Sequence, residues 1–118
     1  MKADIENNAD IERMVNLQYE KLLADSFTKE KFVHLDLKIH LPRVYAFWQM
    51  VVFHRPDLYL GNAFEPHLKL GLQKTDFDIW INYLFEAIDS NWEGQNSNKV
   101  KEHAVLMAQI FQSKMNII

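Results

Sequence analysis

Apolar residues recur at three- and four-residue spacing through most of this chain, and nowhere do valine- or threonine-rich segments alternate with polar residues. A helix that buries one face needs that spacing, whereas a half-buried strand needs a period of two. The expected class is therefore all-α, with four substantial helices joined by short turns. Ile11, Met14, Val15, Tyr19, Leu22 and Leu23 make the first stripe, with Asn8 or Asp10 as its cap. Ser26 to His34 reads as a corner, where Thr28 caps a single turn carrying Phe32. Leu41, Val44, Tyr45, Phe47, Trp48, Val51 and Val52 cover more than one face of a helix from Leu41 to His54, which predicts the most buried element. Pro42 is tolerated only near a helix start, so it is placed in the first turn with His40 at or just before that start. Thr75 can cap a helix whose inner face is Phe77, Trp80, Ile81, Leu84, Ala87 and Ile88. Gly94 to Asn98 reads as a loop, from which Ser97 opens a last helix with Val100, Ala104, Met107, Ala108, Phe111 and Met115 inward.

With 118 residues the chain suits one domain, read as 9–118 behind a polar N-terminal tail at 1–8. Eight phenylalanines, four tyrosines and three tryptophans point to a core with wide flat surfaces or a pocket lined by rings. A net charge of −3, with both signs mixed along the chain and no basic stripe, argues against nucleic-acid binding. No apolar run approaches the roughly 20 residues needed to span a bilayer, and the polar start is unlike a secretory signal, so the default compartment is the cytoplasm. Without cysteine, any metal must be held by nitrogen or oxygen.

No glycine-rich phosphate loop, H-E-x-x-H pair or activated nucleophile is present. Two of the three glycines and one of the three prolines fall between Gly61 and Leu72, around His67. Pro66 suits the first position of a short helix and Gly71 its end, which would hold His67 with little freedom, as a metal ligand requires. On this stretch alone, a water-facing histidine at an interhelix corner is the better explanation of the turn. Tyr19, His40 and Trp80 are each explained singly by packing; taken with His67 they describe a haem with one histidine on one side of its iron and polar donors on the other.

Four segments carry a family resemblance: His40-Leu-Pro-Arg-Val-Tyr-Ala-Phe-Trp48, Pro66-His-Leu-Lys-Leu70, Phe77-Asp-Ile-Trp80 with Glu93-Gly94, and Ala108-Gln-Ile-Phe-Gln-Ser-Lys114. Over the span from Met14 to Met115 the chain resembles the truncated haemoglobins of the third group. The resemblance implies a two-over-two helical sandwich around haem b, with the first globin helix reduced or absent. It makes His67 the iron ligand and Tyr19, His40 and Trp80 the distal groups. Phe32, Val44, Phe64 and Phe77 would line the cofactor; Arg43 and Lys69 lie where they would pair with its propionates, and solvated surface charges are the alternative description of either one.

The implied partners are diatomic gases (dioxygen, nitric oxide or carbon monoxide) and a reductase. The same donors suit oxygen binding and transport, oxidation of nitric oxide, or peroxide chemistry, and no residue separates carrier from enzyme. Gln18 stands where the family carries a phenylalanine, which would put an amide into the pocket wall, and the stretch between Phe32 and His40 is short. These departures keep a second reading open, a non-haem helical interaction domain with its pocket filled.

Overall fold

The first helix is fixed by the residue before it. Asn7 is extended (φ −151°, ψ 176°), and its side chain accepts the Asp10 N–H at 2.9 Å, so α1 runs Asn8–Ala24. The cap is thus Asn7, since Asn8 is already helical. A computed structural model of the chain describes residues 2–33, 35–54 and 72–114. The expectations for Phe64, His67 and Lys69, for the turn from Pro66 to Gly71, and for His34 and Met115 lie outside those residues.

Asp25 ends α1 and starts the corner. Its Oδ1 accepts the N–H groups of Phe27 and Thr28 at 2.8 and 3.3 Å, and buried Thr28 donates through Oγ1 to the Leu22 carbonyl at 2.8 Å. The single turn α2 (Lys29–Phe32) follows and buries Phe32.

Asp36 then caps α3 (Leu37–Phe53), accepting the Lys38 N–H at 3.1 Å. This start is four residues earlier than the apolar pattern predicts. His40 therefore lies inside the first turn and Pro42 in the second, a correction to both placements. The proline is tolerated because the carbonyl it cannot serve, four residues back, belongs to exposed Lys38, where water can reach it.

Gln73 is the N-cap residue of α4 (Lys74–Asn91), and its N–H reaches Asp76 Oδ2 at 2.8 Å, so Thr75 lies within the first turn. The last helix, α5 (Gln95–Lys114), starts in the stretch read as a loop. Its cap comes from the other end of the chain. Asp4 accepts the Asn96 N–H (2.8 Å), the Ser97 N–H (2.9 Å) and the Ser97 hydroxyl (2.7 Å), and Asn96 Nδ2 donates to the Ile5 carbonyl at 2.7 Å. Ser97 is a capped residue here, not the cap. Residues 2–7 form no helix, yet Ile5 is fully buried and Glu93 N–H bonds the Ala3 carbonyl at 3.0 Å. The polar N-terminal stretch is therefore part of the packed body, because one isoleucine and one carboxylate anchor it.

Packing gives the architecture. α1 lies against α3 and α4, and α5 lies against α4 and α3, which closes a ring of two helix pairs with no strand among the described residues. Between its neighbours α1 buries Ile11, Met14, Val15, Gln18, Tyr19 and Leu22, more than α3, which buries Trp48, Val51 and Val52. The prediction that α3 is the most buried element does not hold among the described residues: Val44 and Phe47 pack against the core only in part, because they also line a cavity. No described helix is long and apolar enough to cross a membrane.

Burial by itself would raise the Asp4 carboxyl. Hydrogen bonds from the Ser97 side chain and from the backbone of Asn96, Ser97 and Ile5 outweigh that, and hold it below its ordinary 3.8. A carboxyl lowered on folding stabilises the fold fully above its unfolded value, and the contribution disappears as pH falls through the folded one. Asp4→Ala should therefore cost about 1–2 kcal/mol in urea denaturation at pH 7, with the deficit shrinking below pH 3.8. Gly94→Ala should be at least as damaging, since Gly94 sits at φ 147° and a Cβ there would meet Asp4 Cγ at 2.5 Å.

Candidate functional site

One cavity opens between the helix pairs. It has an empty volume of about 830 Å³, part of it continuous with solvent. From α1 and α2 come Tyr19 and Phe32; from α3, His40, Arg43, Val44, Phe47 and Trp48; from Leu72 and α4, Leu72, Asp76, Phe77 and Trp80; from α5, Met107, Ala108 and Phe111. Each helix contributes the face that its three- and four-residue spacing turns inward.

Most of this lining is aromatic or aliphatic, and the rings order one another. Tyr19 meets Phe32 edge-on at 5.8 Å and Phe77 meets Phe111 edge-on at 6.5 Å, geometries that rings favour. Phe47 stands against Trp48 at 5.1 Å.

The central polar contact joins Tyr19 Oη and His40 Nε2 at 2.8 Å, with the rings 5.6 Å apart. Tyr19 is 3% exposed, and burial pushes its phenol well above the ordinary 10.0. It is therefore a protonated hydroxyl at any physiological pH, available as a donor or an acceptor.

Seven of the residues singled out from the sequence (Tyr19, Phe32, His40, Arg43, Val44, Phe77 and Trp80) thus line one cavity. Among the described residues no three histidine, aspartate or glutamate side chains gather as a metal site.

Two polar residues depart from the sequence reading. Gln18 is absent from the described lining. It is fully buried between α1 and α4, where Nε2 donates to the Trp80 carbonyl at 3.0 Å, and its Oε1 has no partner among the described residues. The amide that would have entered the pocket wall instead ties the level of Tyr19 on α1 to that of Trp80 on α4.

Asp76 is the reverse case. Its sequence position suggests a first-turn acid like Asp78, complementing the helix dipole. Asp78 is indeed exposed and pairs with Lys74 at 3.0 Å. Asp76 is instead buried in the cavity lining and paired with Lys31 of α2. The signal that could have found it is the register: Asp76 adjoins Phe77 and precedes Trp80 by one helical turn.

Among solved structures the chain is similar to a group III truncated hemoglobin from Campylobacter jejuni, at 24% identity and a TM-score of 0.83, over 97% of this chain and 94% of that one. The chain has the truncated globin fold. No protein-family model and no curated protein matches it. In this truncated globin fold no helix precedes α1 among the described residues, and the two-over-two arrangement is the ring of α1 and α3 against α4 and α5.

Tyr19→Phe should cost about 1 kcal/mol at neutral pH through loss of the His40 contact. A phenol raised on folding stabilises the native state below its unfolded value, and that contribution is lost as pH rises through the folded one. The stability gap between wild type and Tyr19→Phe should therefore narrow above pH 10 in alkaline denaturation. Gln18→Leu removes a bond together with a buried unpartnered oxygen, effects of about 1 kcal/mol each and of opposite sign. Its midpoint in urea should stay close to wild type while the Trp80 indole N–H resonance moves.

Proposed function

We propose that the cavity holds haem b and that iron ligated by His67 takes a diatomic gas, whether dioxygen, nitric oxide or carbon monoxide. The observation that carries this reading is the Tyr19–His40 hydrogen bond in a wall that is otherwise largely aromatic and aliphatic. Apolar sites with a few convergent polar groups are what cofactor binding requires.

The lining fits the group. Phe32, Val44 and Phe77 offer flat or branched apolar surface to a macrocycle, and Arg43 offers a guanidinium to its carboxylates. Phe64 and Lys69 take the corresponding parts in this reading. When bound, haem b supplies an iron that coordinates diatomic gases and cycles between ferrous and ferric states.

The protein's own part is to hold polar donors in a low-dielectric space. With His40 Nε2 as donor to Tyr19 Oη, the phenol proton is free to point into the cavity; with Nε2 as acceptor, that proton is held on the histidine. The tautomer of His40 thus sets whether Tyr19 is a donor to a ligand. Trp80 adds an indole N–H on the same lining, anchored through its backbone by Gln18. Such donors would favour a ligand that carries negative charge over a nearly neutral one such as carbon monoxide.

Firm retention of that kind suits redox use of the gas, such as nitric oxide oxidation with a reductase, better than its release as transported cargo. The protein in this reading acts in the cytoplasm.

Haemin titration checks the proposal. A saturable sharp Soret band in wild type, absent or shifted to weak non-specific absorption in His67→Ala, is the expected result. A colourless protein without saturable uptake would remove the haem, and an unchanged band in His67→Ala would remove His67 as the ligand.

A further inference from the structure

Lys31 and Asp76 join two cavity walls that no main-chain contact joins. Among the described helices the backbone of α2 packs on α1 alone and does not meet α4. Yet Phe32 of α2 and Phe77 of α4 line the same cavity, and each adjoins one member of the ion pair in sequence.

Both ends of the pair are held. Asp76 Oδ2 accepts from Lys31 Nζ and, at 2.8 Å, from the Gln73 N–H, so the cation is fastened to the residue that starts α4. The Lys31 ammonium also lies 5.4 Å from the centroid of the Phe27 ring. Lys31 keeps 21% of its side chain exposed and Asp76 1%, which puts the cation at the surface and the carboxylate inside. A second side-chain link runs from the corner to α4, from Tyr83 to Asp25 at 2.5 Å. It lies seven residues further along α4, and neither of its residues is among the cavity lining.

An ion pair so placed is a weak source of stability, because taking two charges out of water costs nearly what their attraction returns. What it can supply is one preferred geometry. Here that geometry is the separation of the corner from the first turn of α4. Leu72, five residues after His67 in sequence, lines the cavity immediately before Gln73. A flat macrocycle is sensitive to such a separation, since a gap of about 1 Å forfeits up to half of the dispersion attraction at a contact.

We propose that Lys31, which is not itself among the described lining residues, is a positioning residue for the porphyrin. Through Asp76 it holds the start of α4 to the corner and sets the separation of the walls that carry Phe32 and Phe77. This rests on the haem reading and adds to it a residue that acts without touching the cofactor.

The test compares wild type with Lys31→Arg, Lys31→Met and the double variant Lys31→Met/Asp76→Asn, which leaves no charge unpaired and keeps an acceptor for the Gln73 N–H. Asp4→Ala, which loses a cap made outside the cavity lining, is the control for lowered stability. Two quantities are read beside the urea midpoint: the rate at which bound metal-free protoporphyrin IX passes to excess serum albumin, and hydrogen exchange at the Gln73 N–H without porphyrin. The metal-free ring takes ligation by His67 out of the measurement.

Lys31→Arg should match wild type in both. The double variant should keep a midpoint close to wild type, yet lose porphyrin about tenfold faster or more, as expected when a hydrogen bond to a charged group is removed. Its Gln73 N–H should exchange faster as well. Lys31→Met should behave likewise, and where it fails to fold the double variant carries the expectation. Asp4→Ala should lower the midpoint with a much smaller change in porphyrin loss.

Porphyrin loss that merely follows the urea midpoint across the series, or Gln73 exchange unchanged in the double variant, would overturn the proposal by reducing the pair to an ordinary surface contact. Failure of the haem reading would appear separately, as a wild type that takes up no porphyrin, and Gln73 exchange would still report whether Lys31 fastens α4.

Discussion

The hydrogen bond between Tyr19 and His40 spans the cavity wall between α1 and α3, and the site's organisation depends on it. It joins residues 21 apart in sequence across the corner formed by α2. For these atoms to meet, α1 must end at Asp25, the corner must turn within a few residues, and α3 must begin early enough to bring His40 inward on its first turn. Asp25 and Asp36 meet those conditions through local side-chain to backbone bonds. The corner is a geometric device for presenting two polar groups to one apolar space.

Much of this was legible because helical spacing and burial are coupled. Tyr19, Phe32, Val44, Phe77 and Trp80 sit on the stripes that three- and four-residue periodicity assigns inward, and the cavity collects all five. Helix starts were less legible, because a cap depends on the backbone conformation of one residue and several neighbours offer the same side chain. Asn7 and Asn8 cannot be told apart by composition, and the extended backbone of Asn7 decides between them. The early start of α3 was hidden by Pro42, whose cost depends on whether the orphaned carbonyl can reach water.

The long-range polar contacts were not legible, and physics says why. Asp76 and Asp78 are the same residue type on the same helical turn, yet one pairs with α2 in the interior while the other faces solvent. Register separates them, because Asp76 adjoins Phe77 and shares a face with Trp80, but the Lys31 partner on α2 is visible only in the fold. Gln18 looked like a polar intrusion into a pocket until its amide was seen to have a carbonyl partner on another helix. Polar residues in a core take their meaning from the group they face.

The cap supplied by Asp4 also orders events in time. Its partners on α5 lie 92 and 93 residues downstream. During synthesis the carboxylate emerges 92 residues before the first of the N–H groups it satisfies. Contacts of such separation bear a large loop-closure entropy and form late. Until then Ile5 has not settled and the start of α5 is uncapped, so the ring of helices lacks its fastener. A chain halted before Ser97 could form α1 and the corner and tie α1 to α4 through Gln18 and Trp80, but it would lack the helix that closes the ring.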